Sequence, residues 1–424
     1  MIQKPKGTYD VTGDYGRKTL YLQKLLESLM EKYNYDYIRT PLFESSALFK
    51  RGVGETTDIV SKETYDFIDR GNRDMTLRPE GTAGVVRSFI ENKMYADPNV
   101  PVKNWYFGTM YRYERPQSGR YREFVQFGVE VFGSNDPLTD AEVISIPVTF
   151  FKLIGLKGIK VKVNTLGDIE SRNNYKKALL DYFLPHLDTL CEDCKKRYEK
   201  NPLRILDCKI DSKKEIFKNI PKMSDYLTKE SKEHFDLVLS YLKSLDIEYI
   251  VDDSLVRGLD YYTNTVFEVE ADIEGFGAQN VLCGGGRYNK LVEMLDGPST
   301  PGVGFSLGLE RILMALDFEK INIIEEKSID AYIIPCSALE KEYAFALLNN
   351  LRLNGFNCDM DYNNRSVKSN FKQSDRLNSK FIIIIGEEEV KSNIVTIKNN
   401  ETKEEQKIKI ENLIEYLDSV IEVY

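Results

Sequence analysis

The sequence predicts an α+β protein: an antiparallel sheet flanked by helices, broken by a helical insertion and followed by a small α/β domain. Three observations carry this. Residues 104–114 and 123–132 read as two strands joined by a turn, a hairpin whose core runs from about 106 to 132. Residues 170–250 are dominated by Lys, Leu, Asp and Tyr at helical spacing. Beyond the charged link Glu325-Glu326-Lys327, strand and helix signals alternate. A chain of 424 residues is too long for one ordinary core. The expected domains are 1–325, with the insertion at about 170–250, and 328–424.

In chain order, Leu22, Leu25, Leu26, Leu29 and Met30 give 14–33 a helical stripe. Residues 37–43 read as a strand whose Pro41 suits an edge or interface. Strands are expected at 64–69, 74–78 and 157–165, with helices at 81–93 and 139–155. Strand character returns at 249–270 and 278–283, and a glycine-rich stretch at 284–308 leads into a helix near 308–318. In the last domain, strands at 331–335, 356–360 and 381–385 alternate with helices at 339–354 and 367–377, the pattern of a mainly parallel sheet.

Composition narrows the chemistry. With 42% hydrophobic and 29% charged residues the chain reads as soluble and globular. Its apolar runs, such as 381–385, are too short to cross a bilayer, so no membrane is expected. No apolar stretch follows the basic residues near Met1, which argues against a signal peptide. Six scattered cysteines form no disulfide framework and fit a reduced, cytoplasmic setting. The net charge of −9 weighs against nucleic-acid binding unless one local patch is basic. Only His186 and His234 occur, which excludes most histidine acid–base chemistry and multi-histidine metal sites. Arg, Glu, Gln and Tyr are left to do the work.

The hairpin has a polar face. Val125, Phe127, Val129 and Val131 occupy alternate positions of its second strand, so a period of two gathers Gln126, Gly128 and Glu130 on the opposite face. Gly128 leaves room there for a ligand against the backbone. On the preceding strand, Arg112 and Glu114 share a face in the same way. The connecting Arg115-Pro116-Gln117-Ser118-Gly119-Arg120-Tyr121-Arg122 collects three arginines and a tyrosine, which suits phosphate oxygens and stacked bases. The plainer alternative is a solvated face with a charged turn; the fully apolar opposite face weighs against it.

The run from Tyr111 to Phe124 resembles the second signature motif of class II aminoacyl-tRNA synthetases. The stretch Gly302-Val303-Gly304-Phe305-Ser306-Leu307-Gly308-Leu309-Glu310-Arg311 resembles their third, and the 14–44 helix–strand unit with Pro41 their first. Two further segments, Leu255-Val256-Arg257-Gly258-Leu259-Asp260-Tyr261-Tyr262-Thr263 and Cys283-Gly284-Gly285-Gly286-Arg287-Tyr288, resemble only the histidine-specific members. The match covers essentially the whole chain in order.

That resemblance implies activation of L-histidine with ATP to histidyl-adenylate, then transfer to the 3′ end of tRNA(His). Arg112 would hold the α-phosphate, Arg120 and Arg311 the β and γ phosphates, and Glu114 the adenine side. Arg257 would approach the reacting centre opposite Arg112; its plain alternative is a salt bridge to a neighbouring aspartate. Glu130 and Tyr262 would read the imidazole, with Tyr261 and Tyr288 lining the pocket. Glu80, Thr82 and Gln126 would take the α-amino group. The resemblance also implies ATP as substrate with Mg2+, and a homodimer built through the N-terminal helix–strand unit.

For tRNA, the candidates are Gln117 and Arg122 in the turn, and Arg365, Lys368, Lys372 and Arg376 in the C-terminal domain. Lys368, Lys372 and Arg376 are spaced by four, a basic helical stripe that in isolation would be a solvated face. Beside these motifs the domain resembles an anticodon-binding domain. Cys191, Cys194, Cys208 and His186 offer a zinc spacing, but a second C-x2-C pair is missing and no structural metal is expected. The rival reading is a non-catalytic, histidine-sensing regulatory subunit of ATP phosphoribosyltransferase. Arg112, Arg257, Arg311 and residues 328–424 weigh against it.

Overall fold

The computed structural model describes residues 1–421 except 55, 56, 58, 118, 207, 209, 257, 258, 260 and 277–279. The chain divides into two compact units, Met1–Ile324 and Glu325–Tyr424.

The strands of the first unit are β1 (Asp36–Tyr37), β2 (Phe43–Ser45), β3 (Tyr65–Ile68), β4 (Asp74–Leu77), β5 (Val102–Tyr111), β6 (Glu123–Phe132), β7 (Ile159–Thr165), β8 (Tyr249–Val251), β9 (Thr263–Ala271), β10 (Val281–Arg287) and β11 (Gly302–Gly308). Eight of them form one sheet in the order β1-β5-β6-β11-β10-β9-β7-β8, and β2-β4-β3 form a small second sheet. All pairs of the large sheet are antiparallel except its two edges, β1 with β5 and β7 with β8.

One face of this sheet packs on the helices Gly13–Tyr33, Pro137–Leu153, Lys229–Ser244 and Leu309–Phe318, burying Phe127, Val129 and Val131 of β6 among them. Pro137–Leu153 starts sharply because Asp136 accepts a bond from the Leu138 N–H and Pro137 needs no donor partner at the first position. The other face meets the helix Thr82–Glu91, whose Val85, Val86 and Phe89 join Tyr106, Phe132 and Tyr288 in a separate core. The polar face of β6 therefore lies buried between layers.

Three local expectations need correction. The strand expected at 37–43 is split into β1 and β2; Pro41, with no N–H to give, lies in the break. Arg112 and Glu114 lie beyond β5, in a tight turn where the Glu114 N–H donates to the Arg112 carbonyl at 2.8 Å. The insertion is helical only at its ends, Ile169–Phe183 and Lys229–Ser244. The intervening residues form the short helix Glu192–Lys200 and several single 3-10 turns, around their own small core of Tyr175, Leu179, Phe183, Leu203 and Ile205.

In the second unit, β12 (Ile329–Pro335), β13 (Cys358–Met360), β14 (Ser379–Ile385), β15 (Ile394–Asn399) and β16 (Glu405–Lys409) run in the order β13-β12-β14-β15-β16. The first three are parallel, as the alternation implied; β15 and β16 add an antiparallel hairpin. Asn399 turns that hairpin by accepting bonds from the Glu401 and Thr402 N–H groups.

One buried ion pair fixes the end of β10. Arg287 is fully buried, and its Nε lies 3.1 Å from both carboxylate oxygens of Asp140 on the helix Pro137–Leu153, while its Nη1 reaches the Ser134 carbonyl at 2.7 Å. Burial alone would raise the Asp140 carboxyl, but the Arg287 charge and the bonds from His234 and Arg287 leave it below its ordinary value. Arg287→Ala is expected to cost about 3–5 kcal/mol by urea unfolding, because it strands a buried carboxylate. An apolar double replacement, Arg287→Met with Asp140→Leu, should recover most of that loss.

Candidate active site

The site is built around Glu130, near the end of β6, with a side chain that has no exposure. Its Oε1 accepts from the Thr82 hydroxyl at 2.6 Å, and its Oε2 accepts from the Tyr288 hydroxyl. Across the sheet it faces Gly304 of β11, where a Cβ would lie 2.1 Å from Oε2. Only a glycine leaves the carboxyl its place. Burial, resisted by the Thr82 and Tyr288 hydroxyls and reinforced by Glu80, pushes Glu130 up to about 8.

Glu80 sits one step further in. Its two oxygens accept from the Thr82 and Ala83 N–H groups at 2.8 and 2.9 Å, so it closes the open end of the helix Thr82–Glu91. Burial raises its carboxyl despite those bonds. Tyr261 packs against Tyr262 and Tyr288 with ring centres 4.7 and 5.7 Å apart, completing an aromatic wall. Arg172 holds the Tyr262 carbonyl at 2.8 Å.

Beside this pocket opens a cleft of about 340 Å³ lined by Arg112, Glu114, Arg120, Phe124, Gln126 and Arg311, among others. Glu114 lies between two arginines, 3.2 Å from Arg120 and 3.9 Å from Arg112. Arg112 is held by the Pro79 carbonyl at 2.8 Å and lies over the Phe124 ring. Arg311 is held by the Val281 carbonyl at 2.8 Å; burial lowers its pKa, and the charges of Arg120 and Arg112 add to that. Three guanidinium groups thus line one cleft together with Glu114, Glu268 and Glu310, and it is their convergence on one space that suits a polyanion.

The four residues expected to bind nucleotide share this cleft, and Glu80, Thr82, Glu130 and Tyr288 form one hydrogen-bonded cluster beside it. Gln126 lines the cleft, and its Oε1 is buried without a partner. Arg257 lies outside the described residues. Gln117 is tied to Arg120 by paired backbone bonds, and Arg122 lies 3.9 Å over the Tyr113 ring, its N–H bonded to the Gly7 carbonyl. His186 and His234 are elsewhere: His186 near Tyr182, His234 near Asp140.

Tyr106 is a site residue that the sequence did not single out. Its ring covers Gly81 and Gly128, where an added Cβ would come within 2.3 and 2.4 Å of a ring carbon. The room over Gly128 is therefore taken by Tyr106 rather than left for a ligand. The Tyr106 hydroxyl is buried without a partner, with Glu130 and Glu80 close enough to add to the burial that raises its pKa.

In the second unit, Lys368, Lys372 and Arg376 lie exposed along the helix Val367–Arg376, while Asn370 and Ser374 face inward. Arg365, also exposed, sits just before it, its Nε 3.9 Å from Asp361. Lys380, the next position in the spacing, belongs to β14 and pairs with Asp330 at 3.0 Å.

The family model for histidyl-tRNA synthetase matches residues 7–312, and that for an anticodon binding domain matches residues 330–419. The chain belongs to the histidyl-tRNA synthetase family. It is 49% identical to the histidine–tRNA ligase of Anoxybacillus flavithermus over 421 residues, covering 99% of this chain and 100% of that one. The structure of apo S. aureus histidyl-tRNA synthetase superposes with a TM-score of 0.85 at 43% identity, covering 98% and 100% of the two chains. A Bacillus halodurans structure described as an ATP phosphoribosyltransferase regulatory subunit/histidyl-tRNA synthetase is 21% identical with a TM-score of 0.61, covering 91% and 98%, a likeness of fold alone. A histidine–tRNA ligase of class II is thus supported, and the regulatory-subunit alternative is not favoured.

Gly304→Ala is expected to push Glu130 off its hydroxyl partners. KM for histidine should rise at least tenfold, a ~1.4 kcal/mol effect or more, while KM for ATP moves little. Equal shifts in both constants would show that the substitution disturbs the whole sheet instead.

Proposed function

We propose that the ligase reaction runs on two adjoining sets of side chains in the first unit, a catalytic domain with its insertion at about 170–250. Residues 328–424 serve as the anticodon-binding domain. The observation that carries this is the buried Glu130 carboxyl, bonded to two hydroxyls and set beside a cleft lined by Arg112, Arg120 and Arg311.

Glu130 and Tyr262 read the imidazole ring of L-histidine, with Tyr261 and Tyr288 as walls. A buried carboxyl that lacks a cation rejects apolar side chains, which would leave it unpaired. Glu80, Thr82 and Gln126 receive the α-amino group, and the unpartnered Gln126 oxygen supports that role. Arg112 then holds the α-phosphate of ATP, Arg120 and Arg311 the β and γ phosphates, and Glu114 the adenine side. When the histidine carboxylate attacks the α-phosphate, charge grows on the oxygens that Arg112 faces, and pyrophosphate leaves towards Arg120 and Arg311. Arg257, assigned on its motif alone, approaches the same centre from the other side. Mg2+ accompanies the triphosphate and offsets its charge; Glu114 and Glu268, both lining the cleft, are the carboxylates that would hold it.

The protein works on tRNA(His) in the cytoplasm; no described helix is long and apolar enough to cross a membrane. Gln117 and Arg122 approach the acceptor end, and Arg365, Lys368, Lys372 and Arg376 the anticodon side. It acts as a homodimer through the N-terminal helix–strand unit, where Tyr37, Leu42 and Phe43 stand exposed at or beside the β1 edge.

Histidine-dependent pyrophosphate–ATP exchange tests the core of this reading. Glu130→Gln should lower kcat/KM for histidine roughly 100-fold, ~3 kcal/mol for one partner of a buried charged contact. The pH profile is more specific. The Glu130 carboxyl holds its proton below about 8 in the free protein, whereas free imidazole gains one only below about 6.5. A bound pair sharing one proton must release a proton on binding below the lower value and take one up above the higher. The histidine affinity should therefore peak between the two, and Glu130→Gln should lose the alkaline limb while keeping the acid one. An unchanged alkaline limb would remove Glu130 from the ring.

Reversing the stripe (Lys368, Lys372 and Arg376 to Glu) should raise KM for tRNA at least tenfold and flatten its salt dependence, leaving exchange untouched. Unaltered tRNA kinetics would return the stripe to an ordinary solvated face.

A further inference from the structure

Within the insertion, Cys191, Cys194, Cys208 and Asp211 bring one ligand atom each to within 4.8 Å of one another. The sulfurs of Cys191 and Cys208 are 3.7 Å apart. A tetrahedral site with zinc–sulfur bonds of about 2.3 Å has sulfur–sulfur edges of about 3.8 Å. A disulfide would need about 2.05 Å. We propose that these four side chains are a structural zinc site, with three thiolates and one carboxylate as ligands.

The arrangement repeats itself. Cys191-x2-Cys194 and Cys208-x2-Asp211 have the same spacing, and in each the first sulfur accepts from the N–H three residues on: Cys194 to Cys191, and Asp211 to Cys208 at 3.3 Å. Asp211 thus takes the place of the last cysteine in a paired C-x2-C pattern, the piece missing from the linear spacing. His186 has no part in it. The Asp211 side chain is fully buried; one oxygen accepts from the Cys191 N–H at 2.9 Å, and the other faces Lys214. Lys214 Nζ stands 2.6 Å from that second oxygen, an ion pair that a bound dication would share. Three thiolates and a carboxylate around a dication leave a net charge of −2, which Lys214 partly offsets.

The surroundings need such a clamp. Residues 184–228 are mostly single turns, and their core is a short list of side chains that includes Cys194 and Cys208 themselves. A segment with so little regular structure gains most from a cross-link. Thiolate-rich donors select zinc over the hard magnesium of the ATP cleft, so the two metals do not compete.

The test uses the full chain, expressed with zinc and purified without chelator under reducing conditions. Elemental analysis should give a single zinc per chain, lost in Cys194→Ser and Cys208→Ser. Replacement by cobalt(II) should give thiolate charge-transfer bands and the intense visible absorption of a tetrahedral site. Should those variants fail to fold, Asp211→Asn and Asp211→Cys supply the answer: competition against a chromophoric chelator should show weaker zinc binding in the first and tighter in the second. Zinc at background in the wild-type protein, a weak octahedral cobalt spectrum, a Cys191–Cys208 disulfide, or chelator competition unmoved by both Asp211 variants would each overturn the proposal.

Discussion

A carboxyl group with no access to water and, among the described residues, no cation beside it is the constraint around which the first unit is arranged. Glu130 sits near the end of a ten-residue strand that is central in the sheet, with β5 on one side and β11 on the other. Desolvation favours its protonated form, and the Thr82 and Tyr288 hydroxyls only partly restore the ionised one. The folded state therefore holds a proton that the unfolded chain has released. Between the ordinary carboxylate range and about 8, this group takes stability away as pH rises. Such a residue persists in a central strand when a ligand supplies what the fold withholds. An imidazole, able to give or take a proton near neutrality, is suited to that place.

Much of the neighbouring structure serves to keep that carboxyl in position. Gly304 clears space for it, and the Arg287–Asp140 pair pins the end of β10, directly before Tyr288. Glu80 holds the first turn of the helix that carries Thr82. The cleft proposed for the nucleotide follows a different logic. Two of its arginines are anchored by carbonyl oxygens of the backbone, Arg112 at Pro79 and Arg311 at Val281, while Glu114 stands between Arg112 and Arg120. Among the described residues, one half of the site sets no cation beside its carboxyl, and the other gathers three arginines. A reaction that joins an amino acid to a phosphate meets both needs at once.

The hairpin was legible because strand periodicity is local: Gln126 and Glu130 share a face by spacing alone. That Arg112, Glu114, Arg120 and Arg311 belong together was legible through their motifs, although Arg112 and Glu114 lie on a turn and not on the strand that alternation suggested. What the sequence did not disclose depends on distance along the chain. Thr82 meets Glu130 from 48 residues away, and Tyr288 from 158. Tyr106 looked like one more aromatic on a buried strand; only its position over Gly81 and Gly128, with an unpartnered hydroxyl, marks it out. Asp211 escaped notice because an aspartate is unremarkable in a chain with 67 acidic residues. The β15–β16 hairpin escaped because its strands are too polar to stand out beside the isoleucine run of β14.

The same acidity bears on how such a protein holds RNA. With a net charge of −9 the body repels a polyanion at long range, and contact depends on places where the local balance reverses. Two are visible. The 115–122 turn carries Arg115, Arg120 and Arg122, with Glu114 as the acid nearest Arg120, and the helix Val367–Arg376 turns Lys368, Lys372 and Arg376 outward with no ion pair among the described residues. At physiological salt the screening length is about 8 Å, so repulsion from the distant acidic surface fades while these close contacts remain. An acidic total then favours discrimination: it disfavours loose, sequence-independent adhesion and leaves binding to the few positions where the local charge is reversed.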